Sequence, residues 1–331
     1  MSAPRPVKDR TIGRHVGFGK VILFGEHVVV HGAPAIVAGI SEYTDCQLRL
    51  LRGKPGFHVV DNRPAVPGYI VEKRAEQKVA HDLVLKHLKI DLSTDGLEAT
   101  IGGPLVPSSG IGASASDVVS LSRALSELYN LGLSEHEVNN SAFVGEGGYH
   151  GTTSGVDNTA ATFGGLLIYR RTAKGPEFAR LPTKATLFLV VISTGITAST
   201  TKVVGDVRKL KESKPEWFAG IMKEYQALYE GANDAVRLGD VPRLGKLMNA
   251  AHDVMQRLTV SCVELDSIVT VARDAGAIWA KMSGTGRGGI AVALCDSAAS
   301  QAAVASALES KCPAAKFVWK YSVLPQASAK L

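Results

Sequence analysis

The chain has 331 residues, 45% of them hydrophobic and 21% charged, an ordinary globular balance with length for one large domain or two of usual size and for a sizeable core. Its net charge of +6 comes from Lys and Arg scattered along the sequence, with aromatics at only 6%; this argues against a nucleic-acid binder and for an enzyme with anionic substrates. The longest wholly apolar run, Leu187 to Ile192, is far short of a membrane span, and the start from Met1 to Arg10 has no apolar stretch of signal-peptide type.

In chain order, Val21–Phe24 and Val28–Val30 are β-branched runs separated by Gly25-Glu26-His27. With a turn at His31–Pro34 and an apolar return at Ala35–Ala38, they predict strands joined by short turns. From Ile70 to Leu88, apolar residues at 71, 75, 79, 83, 84 and 88 give helical spacing. Leu97–Ile101 predicts a short strand. Val118, Leu121, Leu125 and Leu128 predict the core face of a helix ending near Gly132. Ser134-Glu135-His136-Glu137 is a capping box opening a further helix through Phe143. Phe163–Tyr169 predicts a strand, and the turn-rich stretch after it, with Pro176 and Pro182, marks a domain boundary at 182. Beyond it come a strand (Leu187–Ile192), helices at about Glu216–Val236, Leu244–Leu258 and Val263–Asp274, strands at Ala277–Lys281 and Ile290–Leu294, a helix at Ser297–Leu308 and a strand at Phe317–Tyr321. That is a βαββαβ-like order in an α+β protein of two domains, 1–182 and 183–331.

Cys46, Cys262, Cys295 and Cys312 form no CxxC pair and read as free thiols of a reducing compartment, without the spacing of structural zinc. The last three residues, Ala329-Lys330-Leu331, are similar to a peroxisomal address, which gives a peroxisome-type organelle as the expected location and the cytoplasm as the alternative.

The stretch Gly102–Ser116 joins a strand to a helix and is built from Gly, Ser and Ala, which let backbone approach a ligand closely. The helix start points bare N–H groups and a positive dipole end back into the loop, an anion site suited to a nucleotide phosphate. Standard patterns do not account for it. The nearest approach to a Walker A loop, Gly239–Leu247, has one residue too many and no hydroxyl for the metal. Gly110-x-Gly112-x-x-Ala115 matches a relaxed dinucleotide pattern but follows a Pro-containing loop and lacks a strand-end acid about twenty residues on.

Three other segments belong with this loop: Gly19-Lys20-Val21-Ile22-Leu23-Phe24-Gly25-Glu26-His27, the stretch from Glu146 through His150-Gly151-Thr152-Thr153-Ser154-Gly155-Val156 to Asp157, and Lys281-Met282-Ser283-Gly284-Thr285-Gly286-Arg287-Gly288-Gly289. Together they resemble the three signature motifs of the GHMP kinase family, and within it the members that act on mevalonate. The resemblance implies a two-domain GHMP kinase fold with a ferredoxin-like carboxy-terminal domain. It also implies ATP-dependent phosphorylation of (R)-mevalonate in isoprenoid and sterol biosynthesis, with Mg²⁺ as cofactor. Backbone of Pro107, Ser108, Ser109, Gly110, Ile111, Gly112, Ala113 and Ser114 would wrap the ATP phosphates, with Gly284 and Gly286 closing the site. Ser114 and Glu146 would ligate the metal. Asp157 would take the proton of the acceptor hydroxyl, and Lys20 would keep Asp157 ionised and stabilise developing charge. Glu26, His27 and Thr200 would contact the substrate.

Each residue also has a plainer reading: Lys20 as a solvated strand-edge charge, Glu146 as a helix-end acid, Asp157-Asn158 as a turn pair, His27 as a core histidine, His150 as a structural support. The family pattern is broken at Ala113, which stands for a serine, at Thr153, which stands for a proline, at Ala198, which stands for an arginine, and at Arg287, a bulky residue between glycines. Feedback inhibition by isoprenoid diphosphates and a monomeric or homodimeric state are further implications; no membrane or nucleic-acid partner is expected. Two alternatives stay open: another small-molecule kinase of the family, acting on a sugar or on phosphomevalonate, and a non-catalytic ligand sensor on the same fold.

Overall fold

The computed structural model describes residues 15–65, 67–107, 110–151, 153–172 and 175–325. Ser108 and Ser109 of the loop, the start of the chain and the terminal Ala329-Lys330-Leu331 lie outside the described residues. The chain divides into two compact units that interleave along the sequence. The first comprises Met1–Gly19, Glu42–Ser108 and Gly112–Gly164, and the second Lys20–Ser41, Ser109–Ile111 and Gly165–Leu331. Strands β1 (His15–Phe24) and β2 (Ala35–Leu51) contribute residues to both. β1 begins at His15, so Lys20 sits within the strand and not at its start.

In the first unit, β3 (Phe57–Asp61) is followed by α1 (Tyr69–His87), β4 (Gly96–Gly102), α2 (Ala113–Leu128), α3 (Glu135–His150) and α4 (Val156–Phe163). β4 pairs antiparallel with residues 45–51 of β2 and parallel with β3. Val118, Leu121, Leu125 and Leu128 are all buried, as the periodicity predicts, against Leu48, Val84, Leu97 and Ile101. The helix from 69 to 87 is present, but only the later part of the predicted stripe, Val84 and Leu88, packs against the core. Val71 and Val79 are 72% and 51% exposed, while Gln77, Ala80, His81, Val84 and Leu85 are inside. Two polar side chains go inward because a buried carboxylate, Asp117, accepts from both. Phe163 ends α4 and does not open a strand.

The second unit corrects two further expectations. Val28–Val30 is not a strand: Val29–His31 forms a 3₁₀ turn closed by left-handed Gly32. The chain leaves the extended path at Gly25 (φ +120), where a Cβ would lie 2.4 Å from that of Ala35, and at His27 (φ 60). The stretch after 170 is not only turns. β5 (Gly165–Thr172) and β6 (Gly175–Arg180) form a hairpin, and β5 also pairs with Ala35–Gly39.

Then follow β7 (Leu187–Ser193), α5 (Thr200–Ser213), α6 (Pro215–Leu238), α7 (Val241–Arg257), α8 (Val263–Asp274), β8 (Trp279–Ser283), β9 (Ile290–Cys295), α9 (Ala298–Lys311) and β10 (Phe317–Val323). Helix α5 is not foreseen by the sequence reading. The four strands form an antiparallel sheet in the order β10-β7-β9-β8. The βαββαβ order is therefore kept, in the ferredoxin-like arrangement, with four helices between its first two strands. Cys46, Cys262, Cys295 and Cys312 are free thiols. No helix among the described residues is long and apolar enough to cross a membrane.

Candidate active site

In the first unit the loop ends at left-handed Gly112 (φ 76), and α2 begins at Ala113 with its first-turn residues buried. Ser114 Oγ lies 3.2 Å from His150 Nε2, and Glu146 Oε2 is 4.0 Å from the same nitrogen. A hydroxyl from the start of one helix and a carboxylate from near the end of another thus converge on one imidazole. The capping box at Ser134 holds the other end of α3, which runs on to His150 and places Glu146 one turn inside it. Asp157 occupies the first turn of α4 behind Gly155 (φ 85), where the helix dipole favours an anion. Asn158 Nδ2 donates to Asn139 Oδ1 at 2.6 Å and ties α4 to α3.

Beneath Ser114 lies a polar cluster that the sequence does not announce. Asp117 Oδ2 accepts from Tyr149 OH at 2.7 Å, His81 Nε2 at 2.9 Å and Gln77 Nε2 at 3.0 Å. Burial alone would raise the Asp117 carboxyl. His81, Arg63 and Tyr149 outweigh it and hold the group well below the usual carboxylate range. Arg63 forks onto Asp61 at 2.9 and 2.6 Å and donates to the Ala113 carbonyl at 3.2 Å. The helices carrying Ser114 and Glu146 are therefore fixed to one hub. The only sequence signal for it is the Gln77/His81 pair, four apart on α1, opposite an acid on α2.

In the second unit Lys20 is buried, and its backbone N–H donates to the Ile111 carbonyl at 2.9 Å. Gly110 (φ +96) leaves no room for a side chain, since a Cβ would sit 3.0 Å from Ile290. Gly284 lies against Gly110, so the loop and the third motif meet here. Ser283 Oγ accepts from the Ile22 N–H and donates to the Ile22 carbonyl, both at 3.0 Å; its hydroxyl is committed to β1.

The Glu26 carboxylate receives the Lys281 ammonium, which also donates to the Met282 carbonyl at 2.7 Å, and both ions are buried. Burial pushes the carboxyl of Glu26 up and the ammonium of Lys281 down, and each partner works against that shift in the other. His27 Nε2 meets the Thr285 carbonyl at 2.7 Å. A carbonyl only accepts, so Nε2 carries the proton, and burial pushes the imidazole down to about 4. Thr200 Oγ1, at the start of α5, lies 2.7 Å from Thr285 Oγ1. His252 accepts from the Met282 N–H at 3.3 Å and donates to Asp266 at 3.1 Å; burial pushes it to about 4 as well.

The described structure thus brings together Ser114, Glu146 and His150 in one unit, and His27, Thr200 and Thr285 in the other. Asp157 belongs to the first unit and Lys20 to the second. Among the described residues no cluster of three or more His, Cys, Asp or Glu side chains is arranged to hold a metal.

Comparison with known proteins adds the following. The family model for the GHMP kinases N terminal domain matches residues 75–165, and that for the GHMP kinases C terminal matches residues 232–314. A mevalonate kinase of Pyrococcus furiosus is 35% identical over 298 residues, covering 83% of this chain and 86% of that protein. A crystal structure of L. major mevalonate kinase in complex with R-mevalonate is 59% identical, with a TM-score of 0.96, covering 98% of this chain and 100% of that one. A galactokinase of Lactococcus lactis complexed with galactose shares the fold at 20% identity, with a TM-score of 0.72, covering 98% of this chain and 96% of that one.

Proposed function

The chain belongs to the mevalonate kinases of the GHMP kinase family, and from this premise we infer that it transfers the γ-phosphoryl group of ATP to the primary hydroxyl of (R)-mevalonate, giving (R)-5-phosphomevalonate and ADP. The observation that carries the reading is the convergence of Ser114 and Glu146 at a helix start behind a glycine-rich loop. A nucleoside triphosphate needs that combination: backbone N–H groups for its phosphates and oxygen donors for its counter-cation.

The residues divide the work as follows. The loop from Pro107 to Ser114, closed by Gly284 and Gly286, cradles the phosphates. Ser114 and Glu146 offer one neutral and one anionic oxygen, hard donors that fit Mg²⁺; when bound it supplies charge neutralisation on the phosphate oxygens. Asp157 accepts the proton of the acceptor hydroxyl as that oxygen attacks phosphorus, and Lys20 stabilises negative charge on the attacking and transferring oxygens. His27 and Thr200 face the acceptor, and Glu26, engaged by Lys281, holds the turn that presents His27. Little covalent work falls to the protein, so positioning and electrostatics supply most of the rate.

The test is ADP release with (R)-mevalonate, phosphomevalonate and galactose offered separately. Turnover with mevalonate alone is expected. Turnover with galactose and none with mevalonate would move the assignment to a sugar kinase, and ATP binding with no ADP release from any acceptor would make the chain a sensor. Isoprenoid diphosphates share the pyrophosphate group of ATP and should inhibit competitively against it; inhibition independent of ATP concentration would remove that extension.

A further inference from the structure

The third glycine-rich turn, Ser283–Gly289, is assigned above to the phosphates through its glycines. Its side chains and carbonyls face other partners. Two residues assigned to the acceptor, His27 and Thr200, are remote in sequence, yet both end on Thr285: one on its carbonyl at 2.7 Å, the other on its hydroxyl at 2.7 Å. The turn is itself held rigidly. Gly286 (φ +75) would place a Cβ 2.0 Å from the Val260 carbonyl, and the Arg287 N–H donates to that same carbonyl at 2.8 Å. The Arg287 guanidinium reaches Asp206 on α5 at 2.6 Å and the Thr259 carbonyl at 3.0 Å. Helix α5, which begins at Thr200, is therefore pinned to the turn at two points one and a half turns apart.

We propose that Thr285 is a positioning residue for the acceptor: it fixes the direction of the His27 imidazole and of the Thr200 hydroxyl, so that the third motif sets acceptor recognition as well as closing over the phosphates. The two contacts do different things. The carbonyl holds the imidazole in its Nε2–H form and leaves Nδ1, which has no hydrogen-bond partner among the described residues, as an acceptor. An imidazole held neutral this way recognises a hydroxyl donor and gives no charge to a carboxylate. The threonine–threonine contact orients a second hydroxyl, which can give or take a hydrogen bond. Between them they favour an acceptor with a hydroxyl over one that is anionic throughout.

This inference rests on the reading that His27 and Thr200 face the acceptor, and the experiment separates the two. Steady-state KM for (R)-mevalonate and for ATP is measured for Thr285→Ala, Thr285→Ser, Thr200→Ala, His27→Ala and the double variant Thr200→Ala/Thr285→Ala, with Tm as the control for folding. Thr285→Ala should raise KM for mevalonate about 2- to 10-fold, the range for losing one neutral hydrogen bond. It should leave KM for ATP unchanged, Thr285→Ser should restore the wild-type value, and the double variant should be no worse than Thr200→Ala. The ¹⁵N spectrum of His27 at neutral pH should report the Nε2–H form. A parallel rise in both KM values, or a change in Tm alone, overturns the proposal while the acceptor assignment stands. Unchanged mevalonate KM in both Thr200→Ala and His27→Ala overturns the assignment itself, and the proposal with it.

Discussion

The two units hold their functional residues by different means. In the first, Ser114 and Glu146 sit on helices whose positions are set by side chains: three donors on Asp117, a guanidinium shared between Asp61 and the Ala113 carbonyl, an amide pair between Asn158 and Asn139. In the second, Lys20, His27 and the third motif are held largely by backbone: the Ile111, Ile22, Thr285 and Val260 carbonyls. Side chains add to this in the second unit through the Arg287–Asp206 pair and, deepest, the buried Glu26–Lys281 ion pair. A site supported by several side chains tolerates loss of one functional group. A site supported by backbone tolerates side-chain truncation too, until a buried charge is left alone.

The largest effect should therefore come from Lys281→Met. It leaves the Glu26 carboxylate buried without a cation, at a cost of about 3–5 kcal/mol, read as a fall in the urea midpoint. The loss should shrink in acid, where Glu26 takes up a proton, and Glu26→Leu/Lys281→Met should recover most of it. An equally stable Lys281→Met would dissolve the contrast between the units.

Asp157→Ala tests the other side. The fold should survive while kcat falls at least about 10²-fold, with ATP affinity nearly retained in a direct binding measurement. Near-normal turnover removes the general-base role. Loss of the fold would mean that the first unit is as fragile as the second.

The units should also part company in acid. His27 and His252 are held at about 4 against 6.5 when free. The unfolded chain binds those protons first, so stability falls as pH drops from about 6.5 toward about 4. Asp117 is depressed from 3.8 and keeps its contribution until pH passes below that value. Native-state hydrogen exchange at pH 7 and pH 5 should show β8 and β9 losing protection before α2 and α3, and His252→Gln, which can make both hydrogen bonds without titrating, should flatten the change. The reverse order would show that the polar hub, not the histidines, is the acid-sensitive element.

Much of the scaffold was legible because it follows periodicity and capping: the α2 stripe, the capping box of α3, the succession of the last four strands. The losses have specific causes. The periodicity of α1 misses the inward turn of its first half, since Gln77 and His81 are buried only because Asp117 on α2 awaits them. Val28–Val30 has strand composition, but the positive φ values at Gly25 and His27 turn the chain before it can pair. Helix α5 carries three Lys and one Arg and shows just two buried apolar residues, Val203 and Val207, four apart. The motifs single out candidate residues but do not state what each one touches. Nothing in Gly-Glu-His or in Lys-Met-Ser-Gly-Thr-Gly states that Glu26 meets Lys281 or that the Ser283 hydroxyl bridges both backbone groups of Ile22.

The smallest effect asks how locally the first unit is built. Helix α3 carries Glu146 and His150 near its end and a capping box at its start, where Ser134 accepts from the Glu137 N–H at 3.3 Å and the Glu137 carboxylate accepts from the Ser134 N–H at 2.8 Å. Ser134→Ala removes one side of that box and should cost about 1 kcal/mol. The hub on Asp117 holds the far end of the helix through Tyr149, so fraying at the cap should stop before it reaches Glu146. Stability should fall by that amount while kcat and the KM for ATP stay at wild-type values. A change in KM for ATP would mean that the cap and the Glu146 end move as one rigid body, and that the hub does not fix α3 independently of its start.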